Sequence, residues 1–125
     1  GSEWTVTADP KPNKSTDATP VEGTKIGDGH SVVLAASGTK VTISMKGFTT
    51  ASGNASEFVK VTLKAADGTE VGTISGTTTA GKLNGDYTFA NGGVITATAE
   101  FATIEITCST AGKHFSITEL NIVVE

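Results

Sequence analysis

The sequence predicts an all-β fold, a two-sheet β-sandwich of the jelly-roll type. Two segments, 39–46 and 58–65, alternate apolar and polar residues as half-buried β-strands do. Val, Ile and Thr suit a pleated surface, and no stretch shows an apolar period of about 3.6 residues over helical length. About eight to ten such segments, separated by turn signals at near-regular spacing, favour a sandwich.

Length and charge limit the classes of function that this protein can have. The 125 residues suffice for one domain with one core, and the aromatic fraction is only 6%. The net charge of −4 and pI of about 5.1 oppose a general attraction to nucleic acid or to an anionic membrane. No run approaches the ~20 apolar residues of a membrane span. A local basic face remains compatible with this charge, because charges more than about 10 Å apart are screened.

The N-terminal region, residues 1–30, is predicted to be one strand followed by an arm packed on the domain. Residues 3–8 alternate and form the strand, and the Trp4 ring is expected to tie it down. Residues 9–30 hold all three prolines together with Thr, Lys and Gly, a composition typical of a long loop. Residues 31–125 are predicted to form the sandwich core, and the two parts together make one domain.

The core region is predicted to contain a series of short strands. They span residues 31–36, 39–46, 57–65, 70–75, 87–90, 94–99, 101–108 and 114–124. Ser37-Gly38 and Asn91-Gly92-Gly93 are predicted turns, and residues 76–86 a Thr- and Gly-rich loop. Asp67-Gly68 predicts a type I′ hairpin, in which both central residues have positive φ. The last segment changes phase, which indicates a bulge near Thr118-Glu119.

Residue types that support catalysis are scarce. His30 and His114 are the only histidines, and no nucleophile elbow, phosphate loop or zinc motif occurs. Cys108 cannot form an internal disulfide, and it alternates in phase with Ile104 and Ile106, which predicts a buried, inert thiol. The sequence therefore predicts a non-catalytic module.

Three aspartates are candidate ligands for a structural calcium ion. Asp28, Asp67 and Asp86 lie at predicted turns, where carboxylates and carbonyls can surround a hard cation. Each also has an ordinary explanation as a turn residue beside glycine, and no EF-hand spacing occurs. The metal question stays open at this point, and no other cofactor is expected.

Two aromatic residues are candidates for stacking on a sugar ring. Trp4 either stacks on a ligand or seals the edge of the sandwich, and Tyr87 is expected to be the better exposed ring. The five phenylalanines are predicted to fill the core; they are Phe48, Phe58, Phe89, Phe101 and Phe115. So few free rings oppose a flat aromatic platform.

Lysines on the polar phase of two strands are the strongest candidate site. They are Lys40, Lys46, Lys60 and Lys64, with Lys82 added from the Thr-rich loop. Lysine offers three donors on a flexible point charge, and Ser or Thr adds short hydrogen bonds, which suits a polyuronide chain. The other interpretation is that these lysines protect sheet edges and keep the protein soluble.

Several segments together resemble the non-catalytic β-sandwich modules attached to bacterial pectate lyases and other plant cell-wall enzymes. They are Trp4-Thr-Val-Thr, residues 38–46, the hairpin at 66–70, and the closing runs 102–108 and 113–122. The lysine face is similar in kind to that of a pectin-binding carbohydrate-binding module family, family 77, which recognises homogalacturonan through lysines. No individual lysine is carried over from that family.

The resemblance implies a carbohydrate-binding module, with pectin the favoured ligand, cut from a larger secreted bacterial enzyme. The expected partners are plant cell-wall polysaccharide and an appended catalytic domain, with no nucleic acid, no membrane and a monomeric state. The signal peptide is expected outside this sequence, because Gly1-Ser2 is typical of a tag-cleavage remnant. Two alternatives stay open: a ligand-free immunoglobulin-like spacer or surface module, and neutral xylan or β-glucan binding through Trp4 and Tyr87.

Overall fold

The structure, a computed structural model, describes residues 3–6, 11–12, 24–27, 31–49, 55–77, 83–110 and 113–125. Nine strands lie in these ranges: β1 (Glu3–Val6), β2 (Lys11–Pro12), β3 (Thr24–Gly27), β4 (Ser31–Thr49), β5 (Val59–Lys64), β6 (Glu70–Ser75), β7 (Leu83–Asp86), β8 (Val94–Cys108) and β9 (His114–Val124). Two single 3₁₀ turns, Ala55–Phe58 and Ala90–Gly93, precede β5 and β8.

The fold is all-β, as predicted. The strands form one curled antiparallel sheet in the order β2-β3-β9-β4-β8-β5-β6, and β1 and β7 also pair with β4. All strands in the described ranges therefore belong to one hydrogen-bonded network. The division into two sheets of a jelly roll stays a prediction.

Strand β4 is continuous through the predicted Ser37-Gly38 turn, so that turn prediction is wrong. Before Gly38, β4 pairs with β1 on one edge and with the end of β8 on the other; after it, β4 pairs with β9 and with the start of β8. The pairing with β8 shifts register on both sides of Gly38. The buried face changes from even-numbered positions such as Val32 to odd-numbered positions such as Val41, which is what a bulge does to a strand.

Strand β8 is likewise a single strand where the sequence predicts two. Between the pairs Gly38–Phe101 and Lys40–Thr96, β8 carries more residues than β4, and the excess lies in residues 97–100. The buried face of β8 also changes phase, from Ile95 and Phe101 to Ile104. The two long strands therefore bend together.

The concave side of the curled sheet holds one hydrophobic core. Its largest fully buried side chains are Phe101, Phe115, Ile43, Leu63, Ile104, Ile106, Val41, Val59 and Val61. Phe58 is also buried and Phe89 packs against the cluster, as predicted, whereas the side chain of Phe48 lies outside the described residues. Full burial of each such side chain contributes about 1.5–3 kcal/mol to folding.

The N-terminal arm contains strands that the sequence does not predict. Strand β3 pairs with β9, and β2 adds to the edge of β3. Strand β1 is confirmed and pairs with β4, with Trp4 opposite Leu34 in the register. Residues 7–10, 13–23 and 28–30 lie outside the described residues, as does the Trp4 side chain, so its anchoring role stays a prediction.

The hairpin between β5 and β6 is confirmed, but its turn type differs from the prediction. Gly68 has a φ of +89°, whereas Asp67 is not in the left-handed region, so the turn is not type I′. The Gly68 N–H donates to the Ala65 carbonyl at 2.9 Å, and the Ala65 N–H donates to the Thr69 carbonyl at 2.8 Å. This is the three-residue loop in which only the last residue needs positive φ.

The segment after β6 departs from the prediction at two points. Part of the expected loop forms β7, which pairs with the end of β4. The expected strand at 87–90 is absent from the structure; Tyr87 donates its N–H to the Met45 carbonyl at 2.9 Å, and Phe89 forms an isolated bridge with Gly76.

The predicted bulge in β9 is confirmed. The pairing of β4 with β9 shifts between Lys46–Glu119 and Gly47–Ile117, which leaves Thr118 as the extra residue. The shift lets Phe115 before the bulge and Leu120 after it both pack against the core.

The turn before β8 holds three consecutive residues in the left-handed region. Asn91, Gly92 and Gly93 have φ of 52°, 60° and 81°. A Cβ built on Gly93 would lie 2.1 Å from the Ile43 carbonyl oxygen, whereas one on Gly92 meets nothing within 4 Å. Only glycine at 93 lets this turn lie directly on β4.

We expect Gly93→Ala to lower the free energy of unfolding by about 3 kcal/mol, because the methyl group must displace β4 backbone in addition to adopting positive φ. Gly92→Ala is the matched control and should cost about 1 kcal/mol, because it carries the φ penalty alone. Urea unfolding of both variants measures the difference. Equal losses would contradict the close approach at Gly93.

Candidate ligand-binding face

The outward side of β5 and β8 carries a surface of lysines, hydroxyls and one carboxylate. Its members are Lys60, Thr62 and Lys64 of β5 and Thr103, Glu105 and Thr107 of β8, and we call this surface the β5–β8 face. The positions between them, 61, 63, 104 and 106, are buried, so strand alternation points these six side chains away from the core. The phase predicted for Lys60 and Lys64 is thus confirmed.

Cross-strand register places hydroxyls beside Lys60. Lys60 lies opposite Thr107 on one side and opposite Ser75 of β6 on the other. Thr62, next along the same face, is only 5% exposed although it points outward. Among the described residues Lys60 has no ion pair, and the residues opposite it in the register both carry hydroxyls.

Lys64 and Glu105 form an ion pair within this face. The Lys64 Nζ lies 3.2 Å from Glu105 Oε2, and the two side chains are 35% and 26% exposed. Glu105 lies directly opposite Thr62, so Lys60 and Lys64 are its two diagonal neighbours. The face therefore combines two cations with one internal anion.

The β4 lysines form a second group on the other side of β8. Lys40 and Lys46 follow the Gly38 bulge, and both are exposed as their phase predicts. The Lys40 Nζ lies 3.3 Å from Glu125 Oε2, with the two side chains 46% and 59% exposed. In the register Lys46 lies opposite Asp86. The four lysines thus divide into two pairs, each with carboxylates nearby.

Of the other three predicted ligand contacts, only Tyr87 has a side chain among the described residues. The expectation of an exposed Tyr87 ring is wrong: the residue is 5% exposed, and its ring lies edge-on to that of Phe115 at 5.9 Å between centroids and 76° between planes. Residues after β7 turn inward because Tyr87 hydrogen-bonds to β4. Lys82 and the side chain of Trp4 lie outside the described residues.

An open depression of about 280 Å³ lies where the 90–93 turn meets β4. Its lining residues are Ile43, Ser44, Tyr87, Thr88, Phe89 and Gly92. Sequence patterns do not reveal it, because it arises from the approach of two segments far apart in the chain. The hydroxyls of β8, by contrast, could be read from the alternation in 102–108, which places Thr103, Glu105 and Thr107 opposite the buried isoleucines.

Cys108 is half-buried rather than fully buried. Its Sγ lies 3.4 Å from the Thr110 carbonyl oxygen and 3.3 Å from that of Lys113, both within reach of a weak S–H hydrogen bond. The Lys113 ammonium lies 5.9 Å from the centroid of the Phe58 ring. The side chains of His30 and His114 lie outside the described residues.

The candidate calcium ligands do not come together in the described part of the chain. Asp86 lies exposed on β7, Asp67 lies exposed in the hairpin, and Asp28 is outside the described residues. No group of three or more His, Cys, Asp or Glu residues suited to a metal ion occurs among the residues that were placed. The Asp67 carboxylate instead accepts a hydrogen bond from the Thr69 N–H at 2.9 Å.

No protein-family model matches this chain, and no curated protein matches its sequence. Within the part of the chain that the structure describes, no helix is long and apolar enough to cross a membrane.

Hydrogen bonds from Thr69 hold the pKa of Asp67 below its ordinary value of 3.8. A lowered pKa means that the charged carboxylate stabilises the folded hairpin above pH 3.8, and that this contribution is lost as the pH falls through the lowered value. We expect Asp67→Asn to lower the thermal midpoint at pH 7, and the difference from the unsubstituted protein to shrink as the pH falls through the lowered pKa of Asp67. Asp67→Ala, which removes the acceptor, is the control and should remain less stable on both sides of that pKa.

Proposed function

We propose that this protein is a non-catalytic carbohydrate-binding module whose favoured ligand is pectin, bound as homogalacturonan. The observation that carries the proposal is the position of Lys60 on the β5–β8 face, where it has hydroxyl neighbours and no ion pair among the described residues. A uronate carboxylate needs a cation, and the hydroxyls of the same sugar need donors and acceptors nearby. The lysine and hydroxyl pattern of this face meets both needs.

Binding rests on several weak contacts rather than on one pocket. The ammonium of Lys60 donates charge-assisted hydrogen bonds to a uronate carboxylate, and the Thr107 and Ser75 hydroxyls bond to the sugar hydroxyls. Each exposed charge contact contributes about 0.2–1 kcal/mol, so affinity is modest and falls with salt. The β4 pair, Lys40 and Lys46, offers further cations to a long chain, and Lys82, which lies outside the described residues, stays a predicted contact.

In this role the module holds a parent enzyme against plant cell-wall polysaccharide. We place it in a secreted bacterial protein with an appended catalytic domain, acting as a monomer and without a cofactor. The resemblance of several segments in residue pattern to the modules of pectate lyases supports this assignment. An acidic protein also suits a polysaccharide partner better than a nucleic acid.

A ligand-free spacer is the second candidate function. It is favoured by the ion pairs of Lys40 and Lys64, because lysines already paired with carboxylates also occur on surfaces that bind nothing. Neutral xylan or β-glucan binding through Trp4 and Tyr87 is less well supported, because the Tyr87 ring is buried against Phe115.

We expect Lys60→Ala to weaken binding to low-ester pectin about five-fold, because the variant loses one charge-assisted contact worth about 1 kcal/mol. Affinity electrophoresis at two salt concentrations measures the change, with xylan and β-glucan as neutral ligands. Lys113→Ala is the matched control: it removes the same charge from an exposed lysine outside the face and should leave retardation unchanged.

Three results would contradict the proposal. They are an absence of retardation by any pectin, equal weakening by both lysine variants, and binding that is insensitive to salt. The first favours the spacer, and the last favours a neutral glycan.

A further inference from the structure

We propose that Glu105 is a specificity-determining residue that masks Lys64 and limits binding of densely charged uronate chains. This inference rests on the proposed function, because it concerns the same β5–β8 face. It goes further by assigning to one residue of that face the role of weakening the binding of certain ligands. The observation behind it is the 3.2 Å contact between Lys64 Nζ and Glu105 Oε2.

The carboxylate of Glu105 occupies the place that a ligand carboxylate would need to take between Lys60 and Lys64. A carboxylate that bridges Lys60 and Lys64 must lie between them, and that is where Glu105 projects, opposite Thr62. Its side chain is 26% exposed, so the ion pair is partly shielded from water and from salt. An incoming uronate therefore meets a cation that is already neutralised and an anion of its own sign.

Lys60 and Lys64 therefore differ in the charge that they offer to a ligand, although they share one strand and one face. Lys64 has a carboxylate partner and Lys60 has none among the described residues, so only Lys60 offers its full charge to a ligand. A chain with widely spaced carboxylates places a methyl ester or a hydroxyl near Glu105, where no charge is repelled. A fully de-esterified chain places a second carboxylate there, and like charges in such proximity lower affinity.

The test compares Glu105→Gln with Glu100→Gln. Both substitutions remove one negative charge from β8, but Glu100 is exposed in the bulged part of the strand, outside the β5–β8 face. Glu105→Gln should bind low-ester pectin about five-fold more tightly and leave high-ester pectin nearly unchanged, whereas Glu100→Gln should change neither. Isothermal titration calorimetry with both pectins measures these affinities.

Two further variants, both in a Lys64→Ala background or compared with it, distinguish neutralisation of Lys64 by Glu105 from general repulsion of the ligand by the negative charge of Glu105. In a Lys64→Ala background, Glu105→Gln should give little or no gain, because the cation that it releases is no longer present. A gain of the same size in that background would overturn the proposal, since the effect would then be repulsion from the face as a whole.

A ligand-free measurement separates this inference from the proposed function. Acylation of amines by a water-soluble ester, followed by mass spectrometry, should show Lys64 reacting more slowly than Lys60, and Glu105→Gln should remove that difference. Equal rates in the unsubstituted protein would overturn the mask whatever the ligand. A confirmed mask with improved pectin binding supports both proposals. A confirmed mask with unchanged pectin affinity overturns Glu105 as a specificity residue, and no pectin binding by any variant overturns both proposals.

Discussion

Strand β4 is hydrogen-bonded to neighbours along both edges, and the rest of the sheet depends on the bend that it makes at Gly38. Its 19 residues pair with β1, β7, β8 and β9, more partners than any other strand has in the described ranges. A Cβ on Gly38 would lie 2.6 Å from the Glu125 carbonyl oxygen and 2.7 Å from Val124 Cγ1. The close approach of Val124 and Glu125 to β4 at this bend therefore requires a residue without a side chain at position 38.

The same contact ties the C-terminal residue into the sheet. The Thr39 and Lys40 N–H groups both donate to the Glu125 carbonyl, at 2.9 and 3.2 Å, and the Glu125 N–H donates to the Lys40 carbonyl. The Lys40–Glu125 ion pair lies on this backbone contact. One of the lysines that sequence reasoning assigned to a ligand thus also has a partner within the fold, and such exposed pairs contribute little to stability.

The arrangement of charged side chains on the outward surface is set by strand register rather than by the overall composition of the chain. The chain is acidic, yet the four lysines of β4 and β5 lie at outward strand positions with carboxylates on neighbouring strands. Register alone does not distinguish Lys60 from Lys64, because each lies opposite a threonine of β8 and diagonal to Glu105. The difference is the side-chain contact that Glu105 makes with Lys64, at 3.2 Å between Nζ and Oε2. Binding to an acidic polymer on such a surface depends on which of these local pairs can be replaced.

The alternation of residue types determined much of this protein by itself. It predicts the all-β class, the buried face of β4 after Gly38, the β5–β6 hairpin, the bulge near Thr118-Glu119 and the outward direction of the lysines on β4 and β5, because each depends on neighbours within a few residues. Tertiary structure decided what local sequence does not encode. A Ser-Gly pair is compatible with a turn or with a bulge, and only the approach of Glu125 selects the bulge at Gly38. Tyr87 follows a polar Asn-Gly-Asp segment that predicts exposure, yet its backbone pairs with Met45 and its ring packs against Phe115. Lys64 and Glu105 are 41 residues apart, so their contact arises only from the pairing of β5 with β8.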